Sequence, residues 1–249
     1  MIELLGVSKS FNGQEAVLPT DLIVPAGQTT VLIGPSGCGK STLLRLMIGL
    51  LKGDAGEIRF EGTRITAENI QSIRWRMGYV VQDGGLFPHL TAEQNICLMA
   101  RYLGWAEDLI SARLKDVVRL TQFPEDGLRR YPIQLSGGQK QRVSLMRALM
   151  LDPDVLLLDE PLGALDPMIR SELQADLRRI FQSLRKTVVL VTHDLAEAGY
   201  LGDNIVLLQA GRVVQQGKLT DLMQSPADAF VAQFIRAQRS LVEALEKKP

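Results

Sequence analysis

At 249 residues, 46% hydrophobic and 22% charged, the chain is long enough to bury a sizeable core and has ordinary globular usage. Lys plus Arg and Asp plus Glu balance at 28 each, so no net field draws it to nucleic acid. No apolar run nears the roughly 18 residues of a membrane helix, so any membrane span is expected on another chain.

The start Met1-Ile2-Glu3-Leu4 lacks a basic and apolar leader pattern. Two cysteines, Cys38 and Cys97, give neither a disulfide framework nor a metal spacing, and a reducing cytoplasm is the expected home. Residues 1 to 33 read as short strands and turns: Ile2-Glu3-Leu4-Leu5, then Ser8 to Gly13, then Asp21-Leu22-Ile23-Val24 before Pro25. Phe11, beside a turn, is either core or a flat ring on which a purine base could stack.

The run Thr30-Val31-Leu32-Ile33 leads into Gly34-Pro35-Ser36-Gly37-Cys38-Gly39-Lys40-Ser41-Thr42, which matches G-x-x-x-x-G-K-[ST] between a strand and a helix. Its glycines let the backbone bend tightly and aim N–H groups at a phosphate. Lys40 adds a point charge for the outer phosphates, and Ser41 offers a hydroxyl to Mg²⁺. The positive end of the following helix reinforces the field, so the chain is expected to bind a nucleotide.

Gly53 to Gly62 reads as turn, strand and turn, and Arg76 to Gln82 as a second buried strand ending on a polar residue. Ligands gather at the carboxyl ends of strands in phosphate-binding sheets, so Gln82 is a candidate for contact with Mg²⁺ or water, or else a loop boundary. From Asp83 to about Leu135 the pattern turns helical. Thr91 and Gln94 form a capping-box pair, helices follow through Asn95 to Leu103 and Trp105 to Thr121, and Pro124, Gly127 and Pro132 break the chain. Leu135-Ser136-Gly137-Gly138-Gln139 opens another helix, as a plain cap or as a second anion-binding device.

The apolar strand Val155 to Leu158 ends on Asp159-Glu160. Two adjacent carboxylates there are costly unless a cation or a reacting water compensates them. Asp159 fits an acid on the Mg²⁺ side, and Glu160 fits a base for the attacking water. Pro161 to Pro167 turns into an amphipathic helix with Ile169, Leu173, Leu177, Ile180 and Leu184 on one face. The strand Thr187 to Thr192 ends at His193, which is structural or touches a terminal phosphate. Asn204 to Gly217 reads as a hairpin, and a helical tail from about Leu219 ends in Glu246-Lys247-Lys248-Pro249.

In their order and spacing the phosphate loop, Gln82, Leu135 to Gln139, Asp159-Glu160, the Ala164-Leu165-Asp166 turn and His193 resemble the ATP-binding subunit of ABC transporters, over nearly the whole chain. The resemblance implies an α/β fold: a P-loop NTPase core over residues 1–82 and 136–235, including an N-terminal antiparallel β subdomain, with an inserted α-helical subdomain over 83–135 and a short polar tail over 236–249. It implies ATP and Mg²⁺ as cofactors. It further implies a homodimer, or a pair with a closely related ATPase subunit, in which Ser136, Gly137, Gly138 and Gln139 of one chain cover the ATP of the other. By the same likeness Phe11 matches the base-stacking aromatic, where tyrosine is commoner. Ser41, Gln82 and Asp159 are the Mg²⁺ set, Glu160 is the general base, His193 steadies the γ-phosphate and Glu160, and Asp166 joins the nucleotide-binding residues. Gly163 stands where the family often has serine.

The run Asp159 to Pro167 is similar to importer ATPases. That implies integral membrane permease subunits, a solute-binding protein, no nucleic acid, and a cytoplasmic place on the inner face of the cell membrane. Gly78 to Thr91 is most similar to the osmoprotectant subgroup, which takes up glycine betaine, choline or related quaternary amines, and Leu86 to Asn95 looks like the surface that receives the permease. Other ABC systems, for amino acids, other small solutes, lipids or export, stay open as alternatives. A DNA-repair type ATPase would need coiled coils or zinc cysteines for which Gln82 to Leu135 has no room, and a bare ATP sensor has no use for both Glu160 and His193.

Overall fold

The computed structural model describes residues 1–82, 84–163 and 165–246, with side chains through Gln238. Asp83, Ala164 of the Ala164-Leu165-Asp166 turn, and the tail residues Lys247, Lys248 and Pro249 lie outside the described residues. Two compact units emerge, Met1–Thr66 with Val189–Pro249, and Ala67–Val188.

The first unit opens on β1 (Ile2–Phe11) and β2 (Gln14–Val24), antiparallel from Phe11↔Gln14 to Ile2↔Val24. Asn12 and Gly13 close the hairpin at φ 50 and 80, the pair of left-handed residues that a two-residue turn requires. The sequence predicts short strands here, and the structure has two long ones. The register of β1 shifts between Leu4 and Val7, around Gly6 at φ 59, so one bulged strand gives the hydrophobic pattern of two fragments. Next come β3 (Thr29–Ile33), α1 (Lys40–Met47), β4 (Ala55–Phe60) and β5 (Thr63–Arg64). Strands β2, β1, β4 and β5, in that order, make the antiparallel sheet that the family resemblance implies.

The second unit contains α2 (Ile70–Trp75), β6 (Met77–Val80), α3 (Ala92–Tyr102), α4 (Glu107–Thr121), α5 (Gly137–Leu149), β7 (Val155–Asp159) and α6 (Pro167–Leu184). Helix α2 has no counterpart in the sequence reading, since it buries only Ile73 and so leaves almost no periodic signal. Strand β6 runs parallel to β7, with Met77↔Val155 and Val80↔Leu158. Helix α3 starts at Ala92, directly after Thr91, whose side chain accepts from the Gln94 amide while the Gln94 side chain reaches back, as the sequence predicts. Ile96, Cys97 and Ala100 of α3 and Val143 and Met146 of α5 are fully buried, at about 1.5–3 kcal/mol for each large side chain.

Strand β8 (Thr187–Val191) carries the chain back into the first unit, which ends with α7 (Leu195–Leu201), β9 (Asn204–Gln209), β10 (Arg212–Gly217), α8 (Leu219–Gln224) and α9 (Ala229–Glu246). Strand β9 is parallel to β3, and β10 turns back antiparallel on β9, the hairpin expected from the sequence. Val31, Leu32 and Ile33 on β3 and Val206, Leu207 and Leu208 on β9 are all 0% exposed, the continuous burial of strands covered on both faces. The helical tail breaks into α8 and α9 around Pro226, which cannot continue a helix. Among the described residues no helix is long and apolar enough to cross a membrane.

Candidate active site

The phosphate loop leaves the buried end of β3 through positions that only glycine can hold. Gly34 has φ 151, and a Cβ on it would stand 2.2 Å from the Leu208 carbonyl oxygen; at Gly39, φ 104, the corresponding distance to the Ala16 carbonyl oxygen is 2.5 Å. The Cys38 carbonyl accepts the Gly211 amide at 3.1 Å, which staples the loop to the β9–β10 turn.

Lys40 is 5% exposed. Its Nζ donates to the carbonyls of Gly34 at 2.8 Å and Pro35 at 2.9 Å and lies 3.8 Å from Cys38 Sγ. An ammonium has three donors, and the sulfur is the weakest of these three acceptors, so a phosphate oxygen is the group that would displace it. Burial pushes the Cys38 thiol up, against the pull of the Lys40 charge. The residue before helix α1 is Gly39, which supplies no side-chain cap, whereas Thr91, Ser136, Asp166 and Asp194 each cap their own helix. The first turn of α1 therefore offers its N–H groups to an anion.

Phe11 ends β1 with its ring 43% exposed. Lys9 Nζ lies 5.5 Å from the ring centroid and is held by Asp54 Oδ1 at 2.6 Å, while Asp54 Oδ2 accepts the Ser10 amide at 2.7 Å. The Lys9 and Ser10 donors hold the Asp54 carboxyl below the usual range. An exposed ring beside a fixed cation is a surface on which a flat base can stack. His193, exposed between β8 and α7, sits in a pinned corner: its carbonyl accepts Gln238 Nε2 at 3.3 Å, Thr192 Oγ1 donates to Glu197 Oε2 at 2.6 Å, and Asp194 Oδ1 caps the Ala196 amide at 2.7 Å.

In the second unit Asp159 closes β7 at 1% exposed, with the Tyr79 hydroxyl of β6 3.5 Å from its Oδ2. Glu160, half-buried, takes φ 46. A left-handed conformation in a residue with a Cβ costs roughly 1–2 kcal/mol, and such strain concentrates where a side chain must be aimed for function. Ser136 and Gln139 make a reciprocal cap on α5, with the Gln139 amide donating to Ser136 Oγ at 3.2 Å and the Ser136 amide to Gln139 Oε1 at 3.0 Å. Asp166 Oδ1 caps α6 through the Ile169 amide at 3.1 Å. A Cβ on Gly138 would stand 2.7 Å from Ile169 Cγ2 and one on Gly137 3.1 Å from Leu165 Cδ2, so the glycines bring the starts of α5 and α6 into contact. Gln82 is exposed two residues beyond β6.

The first unit thus carries Phe11, the loop and His193, and the second carries Gln82, Ser136 to Gln139, Asp159, Glu160 and Asp166. Among the described residues no group of three or more His, Cys, Asp and Glu side chains is placed to hold a metal. Ser41, Gln82 and Asp159 each offer an oxygen donor of the kind Mg²⁺ takes, the rest of its shell being phosphate oxygens and water. Sequence reasoning missed Asn95, Arg142, Ser144 and Arg147. Each is a polar side chain on the inward side of an otherwise apolar helix stretch, the one signal that could have singled it out.

The ABC transporter family model matches residues 18–163. The choline transport ATP-binding protein OpuBA of Bacillus subtilis is 42% identical over 240 residues, covering 96% of this chain and 63% of that protein, so the chain spans less than two-thirds of that relative. The glycine betaine uptake system ATP-binding protein YehX of Escherichia coli is 46% identical over 234 residues, 94% of this chain and 76% of that protein. The dimeric structure of a bacterial ABC transporter cassette matches with TM-score 0.80 and 32% identity, over 88% of this chain and 99% of that one.

Proposed function

The chain belongs to the ABC transporter family, and from that premise we propose that it binds ATP with Mg²⁺ on the loop from Gly34 to Thr42, hydrolyses it as a pair of subunits, and powers solute uptake through separate integral membrane permease subunits. The observation that carries this reading is the buried Lys40, gathered into the loop by two carbonyls and one weak sulfur contact at an uncapped helix start. An incoming β- or γ-phosphate takes the place of the sulfur and gains the helix field.

Around that contact the other residues take distinct tasks. Phe11 stacks on the base, Glu160 draws the proton from the attacking water, and His193 steadies the γ-phosphate and Glu160. Mg²⁺, when bound, neutralises charge on the phosphates, with Ser41, Gln82 and Asp159 as its protein side. Ser136, Gly137, Gly138 and Gln139, with Asp166 close by, complete the site of the partner chain. ATP then adds charge-assisted bonds only when two chains close on it, so it biases the open–closed balance and hydrolysis releases that bias.

The solute we propose is an osmoprotectant of the quaternary amine class. Two similar proteins are named for choline and glycine betaine transport, which supports this reading beside the resemblance of Gly78 to Thr91 to the osmoprotectant subgroup. The inserted segment 83–135 presents the permease-binding surface at Leu86 to Asn95, a solute-binding protein delivers the solute, and the chain sits on the inner face of the membrane. Equilibrium ATP binding by the wild type and Lys40→Met tests the first step. Loss of about 100-fold or more in affinity is expected for a residue that holds phosphate charge, and equal affinity in the variant would remove the loop from the site.

A further inference from the structure

Helix α5, which starts at the Ser136 cap, reaches far from that cap to hold the loop that follows Gln82. Ser144 Oγ donates to the Gly84 carbonyl at 2.8 Å, Arg147 Nη2 to the same carbonyl at 2.8 Å, and Arg147 Nη1 to the Gly85 carbonyl at 2.7 Å. Three side-chain donors therefore converge on two consecutive carbonyls sixty or more residues back in the chain. Gly84 and Gly85 present those carbonyls by taking φ 71 and 55, and the Gly84 amide donates to the Val81 carbonyl at 2.9 Å. A Cβ on Gly85 would stand 2.6 Å from Val81 Cγ2, so this turn is specific to glycine.

The arginine is an expensive way to hold a loop. Burial pulls its guanidinium below the usual value, and among the described residues no ion pair with a carboxylate offsets that cost. An apolar side chain would serve the packing better. What the guanidinium adds is a planar fork that fixes distance and rotation at once, which neither an apolar group nor a lysine can do.

We propose that Arg147 and Ser144 are positioning residues that lock the segment after Gln82 to α5, so that the glutamine and the Ser136-Gly137-Gly138 start of that helix travel on one rigid piece. From Ser136 to Arg147 the helix rises roughly 16 Å at about 1.5 Å per residue, too short a rod to bend appreciably. Seating of the Ser-Gly-Gly on a partner chain is thereby tied to placement of Gln82 in its own site. The inference rests on the roles proposed above for Gln82 and Ser136.

Two readouts on the full chain test it. In hydrogen exchange, Arg147→Met should speed the amides of residues 84–87 by about tenfold or more while the interior of α5 keeps its protection, with Arg147→Lys and Ser144→Ala in between. In steady-state turnover, Arg147→Met should lower kcat about tenfold with KM for ATP within about twofold, and should lower nothing further in a Gln82→Ala background. Unchanged exchange at 84–87, or kcat defects that multiply in the double variant, would overturn the lock. A wild-type chain without ATPase activity would instead sink the proposed function, and the exchange readout would still decide the lock.

Discussion

Asn95 Oδ1 accepts the Phe87 amide at 2.7 Å while its Nδ2 donates to the Phe87 carbonyl at 3.1 Å, and the same Nδ2 reaches the carbonyls of Leu90 and Thr91. Asn95 is 0% exposed, so one buried side chain ties together four backbone groups of the Phe87–Thr91 loop, two of which, the Phe87 and Thr91 carbonyls, also accept the backbone amides of Leu90 and Asn95. Asn95→Leu keeps the shape and removes every one of these bonds. It is expected to cost about 2–4 kcal/mol, read as a fall in the urea midpoint, with ATP affinity unchanged and recruitment to the permease lost.

Arg142 of α5 is 9% exposed and pairs with Asp176 at 2.6 Å and Glu172 at 2.6 Å on α6, and its Nη1 also donates to the Thr121 carbonyl. Removing it leaves the buried Asp176 carboxylate with the half-exposed Arg179, at 2.9 Å, as its remaining ion-pair partner among the described residues. Arg142→Met should cost about 1–3 kcal/mol, Arg179 still facing the carboxylate, and the double variant with Asp176→Leu should regain a large part of that, because a buried pair is harmful when halved and dispensable when wholly replaced. Urea unfolding of the three variants measures the cycle. A double variant less stable than Arg142→Met would contradict it.

Gly39→Ala places a methyl group 2.5 Å from the Ala16 carbonyl oxygen at φ 104. Backbone strain of about 1–3 kcal/mol follows, and because Gly39 precedes Lys40 the loop must shift. ATP affinity should fall with thermal stability, and calorimetry with ATP titration on one preparation reads both. A variant with unaltered affinity would mean the loop geometry described here is not the binding geometry.

Both thiols are buried, and burial raises both, Cys97 to about 11 from 9.0 despite the nearby Arg101 charge. The thiolate is the reactive form, so neither should label at pH 8 in the native chain and both should label once unfolded. The folded chain holds the Cys97 proton more tightly than the unfolded chain does. Its stabilising contribution is therefore full below pH 9.0 and is lost as pH rises toward about 11. The decline of Tm over that window should be shallower in Cys97→Ala, and parallel declines would contradict the assignment.

What could be seen in the sequence was local. The phosphate loop and the Thr91–Gln94 cap are set by residues a few positions apart, so spacing alone revealed them, whereas the reciprocal Ser136–Gln139 pair was read only as a cap or an anion site at Ser136. The extent of β1 was hidden because Gly6 bulges it, and α2 because it turns only Ile73 inward. Arg142, Ser144 and Arg147 were passed over because their partners, Asp176, Gly84 and Gly85, lie far away in the chain. Glu160 was singled out by its chemistry as a candidate base, but its left-handed backbone was not foreseen, since nothing in Asp159-Glu160-Pro161 announces a positive φ.

The most direct test of the central claim is ATP turnover with Mg²⁺ across a range of chain concentrations, for the wild type beside Glu160→Gln. The rate per subunit should climb with concentration, and it should fall by about 10²–10⁴-fold in the variant, which should elute as a dimer with ATP bound. Turnover that survives in Glu160→Gln at the wild-type rate would contradict a shared catalytic site built on that carboxylate.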